Sequence, residues 1–439
     1  MQTTRSIRTY YTLILTQTLS IIGSRMTNFA VGIHVFNETG DVTPLALVGF
    51  FGVVPLLLAS NVAGVLTDRW DRRLVLAAAD VGSATGTGLL LLSFASGAFQ
   101  LWHLYAIAIL GGVFDVFQTP AFNAVVTTLV PDEGRDRANA VNQMVGPGAG
   151  LLAPFLAGML FGLVGVVGVM AIDLLTFAVA VGVVLRLDIP RPPETDEGRE
   201  SRGSVWFEAR MGFAVVWRRR LLFYAVLYIM LHNFLGSMAG ILFTPYVLTL
   251  TDSEALLGTL MAIMNGGMFL GGVLAGAWHP PLPRMTLVLG AMVLISLGMI
   301  ALGVARSPLA LGIVFALYLV PNAISSSRMN SILQAKIPPD IQGRVMAALI
   351  QMALLATPLS LLLVGPLVDH VLEPAVGGPG WGAVAPLVGE RAGSGMGLLL
   401  VINGAISTAV GLAMLAWPDM RHLEDRLPDP VPLAEPAIA

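Results

Sequence analysis

Apolar runs of about membrane length alternate along this chain with short stretches that hold most of its charge. A helix needs about 20 apolar residues to cross the hydrocarbon of a bilayer. Twelve runs meet that need, near 11–36, 44–66, 74–97, 102–129, 138–161, 165–187, 221–248, 256–278, 285–304, 308–333, 344–370 and 395–417. At that length twelve helices take up roughly 240–300 residues, which leaves short connections from 439. Gln17, Ser20, Ser24 and Arg25 interrupt the first run and no small-residue cleavage site follows it, so it reads as a span and not as a signal peptide. The pattern predicts an all-α polytopic membrane protein.

Composition agrees and excludes other classes. Charged residues make up 12% of the chain, hydrophobic residues 56%, and the mean hydropathy is +0.80. A soluble domain carries about 25% charged residues, so a large water-facing surface could not be coated. The net charge of −3 offers no basic face for nucleic acid. With no cysteine there is neither a disulfide framework nor a thiolate metal site. No Gly-rich loop leading to Lys-Ser/Thr appears, so direct ATP drive is not expected. No catalytic triad or metal-ligand set stands out, and the reading is of a protein that is not an enzyme and needs no cofactor.

The few charges fix orientation. Of 24 Lys and Arg, all but Arg25, Arg328, Arg306 and Arg391 fall on one side of the predicted spans. Basic residues mark the cytoplasmic side, so both termini are expected in the cytoplasm. All basic residues but Lys336 are arginine, which with the Ala/Gly richness suggests a bacterial source and its cytoplasmic membrane.

The stretch 188–203, with Pro190, Pro192 and Pro193, is too charged to enter a bilayer. It divides the chain into an N-terminal six-helix half (1–187), a linker (188–220), a C-terminal six-helix half (221–417) and a proline-rich tail (418–439) that reads as disordered. Within the linker, 204–217 has apolar residues at helical spacing. It reads as an amphipathic helix on the inner membrane surface, with an early start of span 7 as the alternative. The halves echo each other. Asn123, Pro131, Arg137 and Ala140 recur 207 residues later as Asn330, Pro338, Arg344 and Ala347. Parallel six-helix repeats are a known transporter plan.

The segment Gly64-Val-Leu-Thr-Asp68-Arg69-Trp-Asp-Arg72-Arg73 resembles the signature of the major facilitator superfamily. Asp71 stands where that signature has Gly, and a left-handed turn there is tolerated by Asp. Ile22-Gly-Ser-Arg25-Met, Gln118-Thr-Pro-Ala-Phe122, Gly146-Pro-Gly-Ala-Gly150 and Ile172-Asp173-Leu-Leu-Thr-Phe177 resemble the branch of proton-coupled drug and siderophore exporters. The resemblance covers essentially the whole membrane chain. It implies two pseudo-symmetric halves around a central cavity lined by spans 1, 4, 7 and 10.

Charged groups inside a span are functional candidates by default, because burying them is expensive. Asp115 sits near the middle of span 4, on one face with Gly111, Gln118 and Phe122. Arg25 sits near the middle of span 1, beside Gln17, Ser20, Ser24 and Asn28. The resemblance puts both on neighbouring cavity helices. Two readings stand: Asp115 is a protonatable carboxylate tuned by Arg25, or the two form a fixed ion pair that sets helix register. His232 and Asn233 in span 7, and His34 in span 1, either meet substrate and protons or are packing residues. Arg328 either lines the cavity mouth or snorkels to the interface.

Gly64, Asp68, Arg69, Arg72 and Arg73, with Asp132, Glu133 and Asp136 as partners, are expected to form a conformational gate on the cytoplasmic side. Asp68 would face a helix N-terminus of the other half, and Asp80 would join this network. Asp173 and Asn403 are read as structural hydrogen-bonding groups. Gly146, Pro147, Gly150, Pro154 and Gly158 in span 5 allow close helix packing between the halves. The external stretch 371–395 either folds over the outer mouth or is flexible.

The expected function is secondary active export of a hydrophobic or amphipathic small molecule by proton antiport and rocker-switch alternating access. A lysophospholipid flippase-like transporter, or a proton-independent facilitator or uptake carrier of the same fold, is the alternative. The expected partners are a small-molecule substrate, protons and the lipid bilayer, with the chain acting as a monomer.

Overall fold

The computed structural model describes residues 2–130, 135–187, 216–217, 219–278, 280–337 and 342–427, and these contain helices and turns but no strand. Spans 1 to 4 are Gln2–Thr39, Thr43–Arg69, Arg72–Ala95 and Leu101–Leu129. Spans 5 and 6 form one helical run, Arg135–Arg186, interrupted only at Gly165. Spans 7, 8 and 9 are Arg220–Thr251, Glu254–Ala277 and Arg284–Val304. Span 10 is broken into Pro308–Tyr318 and Val320–Lys336, and span 11 into Gln342–Leu354 and Thr357–Leu367. Span 12 is Ser394–Ala416. Among the described residues, nine stretches are long and apolar enough on their own to cross a membrane. One of these, Met144–Arg186, holds spans 5 and 6 together. Span 2 contributes a shorter apolar piece, and span 1 is diluted by its polar stripe. The bundle is the twelve-helix all-α architecture expected.

Gly165 turns the chain back on itself. Its φ of 64° and ψ of −176° lie outside the range open to other residues. A straight helix rises about 1.5 Å per residue, which would put Gly150 and Asp173 over 30 Å apart. Both instead lie against the same turn of span 1, Gly23 to Arg25. The connection predicted between 161 and 165 is thus a single residue.

The interruptions in spans 10 and 11, unforeseen in the sequence, have local causes. Pro321 has no N–H to donate into its helix, and the break at Leu319 rests against Gly267 and Gly271 of span 8. In span 11, Asn233 Nδ2 donates to the Ala353 carbonyl just before the break (3.0 Å). Ser360 Oγ donates to the Phe234 carbonyl just after it (2.6 Å). The signature loop also differs from expectation. Asp71 is extended (φ −66°, ψ 111°), not left-handed, and its carboxylate accepts from the Arg73 N–H (3.0 Å). Aspartate there serves as the N-cap of span 3, a role Gly fills without a side chain.

The apolar core is shared at one end of the molecule and split at the other. At the end opposite the Arg-rich face, Ile33, Phe36, Val42 and Ala46 of the first half pack with Leu242, Leu257, Phe315, Val364 and Leu400 of the second. Toward the basic face, one core holds Tyr10, Leu13, Leu76, Leu129 and Val184, all from the first half. A separate core holds Leu222, Met285, Ile332, Val345 and Met420, all from the second. Among the described residues the halves therefore share a core only at the face opposite the basic one.

That meeting is locked by a carboxylate. Asp369, at the end of span 11, accepts from the backbone N–H of Val42 (2.9 Å) and of Thr43 (2.8 Å) and from the Thr43 hydroxyl. These are the orphan donors and positive dipole end of span 2. Gly365 allows the approach, since a Cβ there would sit 2.5 Å from the Thr43 Cα. Nearby, Asn37 Nδ2 donates to Glu254 Oε1 across the halves (3.3 Å). Spans 5 and 8 touch backbone to backbone at Gly158, Gly258 and Pro154. Gly146 and Gly148 have nothing within 4 Å of where a Cβ would lie, so the packing role expected of Gly146 belongs to the outer part of the span.

Two segments are more ordered than their composition suggested. The stretch after span 11 folds onto the second half: Trp381 is buried and its indole N–H donates to the Gly389 carbonyl (2.7 Å). Glu373 accepts from the N–H groups of Gly393 and Met396 (3.1 and 2.9 Å). The tail expected to be disordered from 418 is helical at Pro418–Arg421 and Leu423–Arg426. Met420 and Leu423 are fully buried, and Glu424 pairs with Arg284 (3.0 Å). Two apolar anchors and an ion pair outweigh its prolines. Residues 428–439 lie outside the described residues. So does 204–217, except Val216, buried in the core of the second half, and exposed Trp217.

Two predictions follow from these contacts. Hydrogen bonds to a charged group are worth about 1.5–3 kcal/mol each, so Asp369→Asn should loosen the closed face by at least roughly tenfold. A single cysteine at Leu361, which borders Gly49 across the halves, should then react at least about ten times faster with a membrane-impermeant thiol reagent. An unchanged rate would show that the contact does not hold the face shut. For the glycine seam, Gly258→Ala should cost about 1–3 kcal/mol by overpacking and lower the melting temperature in detergent. Gly148→Ala should leave it unchanged.

Candidate functional site

Two cavities lie between the helices of the first half, stacked along spans 1 and 4. The larger, about 570 Å³, is bordered by spans 1, 2, 3, 4 and 7. Glycine, valine and leucine make up most of its wall, and Gly240, Ile241 and Thr244 bring the second half into it. Its polar lining is Asn28, Thr244 and one ionisable group, Asp115. Asp115 extends from span 4 into this space and has no ion-pair partner among the described residues. The close packing of Gly112 on the Gly52 carbonyl lets span 2 form the neighbouring wall.

The smaller cavity, about 200 Å³, lies one helical turn toward the basic face. Gln17, Ile21 and Arg25 line it from span 1, Gln118 and Phe122 from span 4, and Asn142, Val145 and Gly146 from span 5. The spacing of four along span 1 places Gln17, Ile21 and Arg25 on one face. Arg25 does not reach Asp115. Its Nη1 donates to the Gly146 carbonyl (2.9 Å), and that atom lies 3.0 Å from where a Gly150 Cβ would be. Asn265 Oδ1 of span 8 lies 2.5 Å from the same point. Gly150 thus leaves room for both Arg25 and Asn265, from opposite halves, to approach it. Asn265 was not anticipated, since nothing in its local sequence marks it.

Of the expected cavity residues, Gln17, Arg25 and Gln118 share one chamber, and Asn28 and Asp115 share the other. The remaining three sit elsewhere. His232 Nδ1 meets the Ser407 hydroxyl (3.0 Å), which in turn meets Ser296 (2.7 Å), linking spans 7, 12 and 9. Asn233 is committed to the break in span 11. Arg328 Nη2 donates to the carbonyls of Ala275 (3.2 Å) and Trp278. It caps the C-terminus of span 8, where unpaired carbonyls and the helix dipole favour a cation. It neither lines a described cavity nor snorkels outward. His34 packs edge-on against Phe94 (4.9 Å between ring centres).

Two buried carboxylates complete the picture. Asp173 is fully buried and accepts from Ser24 (3.3 Å) and Thr87 (3.3 Å), tying span 6 to spans 1 and 3. Asp80 was expected with the gate. It instead accepts from Gln17 Nε2 (2.7 Å) and Gln118 Nε2 (3.1 Å), behind the smaller cavity. Asn403 donates to the Leu235 carbonyl (3.4 Å) as a structural group. Of the gate residues, Arg73 lies in the first turn of span 3, while Asp132 and Glu133 lie outside the described residues. Gly64, Asp68, Arg69, Arg72 and Asp136 are helical, with side chains outside the description.

Known proteins give this geometry a context. The family model described as Major Facilitator Superfamily matches residues 13–361. Macrolide efflux protein A of Streptococcus pyogenes is 24% identical over 377 residues, covering 82% of this chain and 90% of its own length. Multidrug efflux pump Tap of Mycolicibacterium fortuitum is 27% identical over 366 residues, covering 79% and 86%. Among solved structures, a bacterial homolog of the human lysosomal transporter Spinster, inward-facing and unoccupied, superposes with a TM-score of 0.73 at 16% identity, covering 98% of this chain and 99% of its own. The nucleoside transporter NupG (D323A mutant) gives 0.65 at 12% identity, covering 92% and 99%. These matches agree with a multi-pass transporter and not an enzyme. The chain belongs to the Major Facilitator Superfamily.

Proposed function

We propose that this protein is a secondary active exporter of hydrophobic or amphipathic small molecules, driven by proton antiport through rocker-switch alternating access. The observation that carries the reading is the larger cavity, an apolar chamber in the first half closed on one side by span 7 of the second, with one carboxylate, Asp115, in its wall. Apolar walls with few polar groups suit a drug-sized ligand. A single acid without a basic neighbour favours a ligand that brings its own positive charge. The names of the relatives, macrolide and multidrug efflux proteins, support the same class of cargo.

The cycle follows from the halves. With the core shared at one face and split at the other, the cycle loads the chamber from the basic face. By the charge rule that face is cytoplasmic, as are both termini, and the membrane is the bacterial cytoplasmic membrane. An ionised Asp115 takes up a cationic amphiphile from the cytoplasm. Release of the Asp369 cap opens the far side, where a proton replaces the cargo on the carboxylate. Return to the first state delivers that proton inward. Cargo and proton compete for one group, so each drives the other out. Asp68 and Arg69 to Arg73 would close the cytoplasmic side in the outward-open state. The chain works as a monomer.

In proteoliposomes with an imposed pH gradient, acidic on the far side, initial transport of a macrolide and of the lipophilic cation tetraphenylphosphonium should rise with the gradient. An uncoupler should collapse it. Asp115→Asn should cut gradient-driven transport of the cation at least about tenfold. Transport indifferent to the gradient would identify a facilitator instead, and activity on lysolipid alone a flippase.

A further inference from the structure

Asp80 is buried within the first half, away from both cavities, yet each of its oxygens is held by a residue that lines one. Gln17 Nε2 donates to Oδ2 and Gln118 Nε2 to Oδ1, from spans 1 and 4, and Asp80 itself has no exposed surface. No cation touches it among the described residues. The charged and titratable groups on the elements around it are Arg5, Arg8, Tyr10, Tyr11, Arg25, His34 and Glu38 on span 1, His103, Tyr105 and Asp115 on span 4, and Asp173 and Arg186 on span 6. Arg72 and Arg73 lie on its own helix, and Arg135, Asp136 and Arg137 open span 5. Arg25 is committed to Gly146, Tyr10 to the Ala138 carbonyl, and Asp173 to Ser24 and Thr87.

A carboxylate inside an apolar bundle costs several kcal/mol unless it is fully paired. Asparagine at position 80 would hold the same helices together with no charge to bury. Its amide could accept from one glutamine and donate to the other. The carboxyl group, unlike that amide, has a second protonation state to use.

The chemistry of that state is specific. An ionised carboxylate only accepts, so both glutamine amides must present N–H to it. Each glutamine then turns its carbonyl oxygen elsewhere. When Asp80 gains a proton, one of its oxygens becomes an O–H donor and requires an acceptor. One glutamine amide must rotate to present its carbonyl, and its NH₂ then faces away. A group lining the chamber beside Arg25 thereby changes from acceptor to donor, although Asp80 never meets the chamber itself.

We propose that Asp80 is a proton-holding site whose occupancy is reported to the cavity by Gln17 and Gln118. Resting on the proton-coupled reading, this adds a second titrating site, apart from the cargo-binding Asp115. Protonation and release exchange one proton with water in the smaller cavity, through the glutamine-lined wall. No other atom is transferred.

The test separates coupling from transport. In reconstituted Asp80→Asn, substrate-for-substrate exchange without a gradient should stay within about twofold of wild type, which also shows that the variant folds. Gradient-driven accumulation should fall at least about tenfold. If wild type responds to the gradient and Asp80→Asn responds equally, the Asp80 proposal is overturned while the antiport reading stands. If wild type itself ignores the gradient, both fall. Should Asp80→Asn not fold, infrared difference spectra of other variants decide. A protonated-carboxyl band should appear as pH falls, persist in Asp115→Asn, and shift in Gln118→Leu, which removes one hydrogen-bond partner. A band lost in Asp115→Asn and unmoved in Gln118→Leu would overturn the proposal.

Discussion

A polar group inside this bundle has no bulk water to fall back on. Lipid offers no hydrogen bonds, so each buried donor and acceptor must be met by protein or by a wet cavity. Much of the architecture is an answer to that demand. Arg328 satisfies the end of span 8, Asn233 the break in span 11, and Asp369 the start of span 2. Asp173 gathers the hydroxyls of two other helices. Once these are assigned, few polar side chains remain facing open space. Those few, Arg25, Asn28, Asp115, Asn142, Thr244 and the two glutamines, outline the site by subtraction.

The same demand makes the interface between the halves switchable. Apolar packing at the shared core is tolerant of sliding, while a carboxylate on a helix terminus is directional and is either made or lost. The closed face combines both: a broad greasy contact and a small polar clasp. At the basic face each half keeps its own core intact. Separation there exposes no torn interior, so two arrangements of the same halves can lie close in energy.

The fold was legible because hydrophobic run length is set by bilayer thickness, and charge placement by topology. Helical spacing also placed Gln17 with Arg25, and Asp115 with Gln118, on common faces. Spacing gives the face of a helix but not its height against a neighbour. That is why Arg25 and Asp115, complementary in charge, were joined on paper, though the structure sets them against different walls. Asp80 was misassigned for the same reason, since its partners sit on two other helices. Asp369 was invisible: its partner Thr43 lies 326 residues away and offers mainly backbone. Arg328 showed that a charge in an apolar run can be spent on a neighbouring helix end. The tail folds against its proline content because Met420 and Leu423 are buried and Glu424 pairs with Arg284.

The cap formed around Trp381 has a mechanical consequence. Its described hydrogen bonds, through Glu373, Arg306 and Gly389, all run to the second half or within itself. Among the described residues it is therefore an outrigger, hydrogen-bonded to the second half and not to the first. A rigid arm turns a small rotation at the pivot into a larger sweep at its tip. In any tilt of the second half, the Gly377 turn would travel further than the helices that carry it.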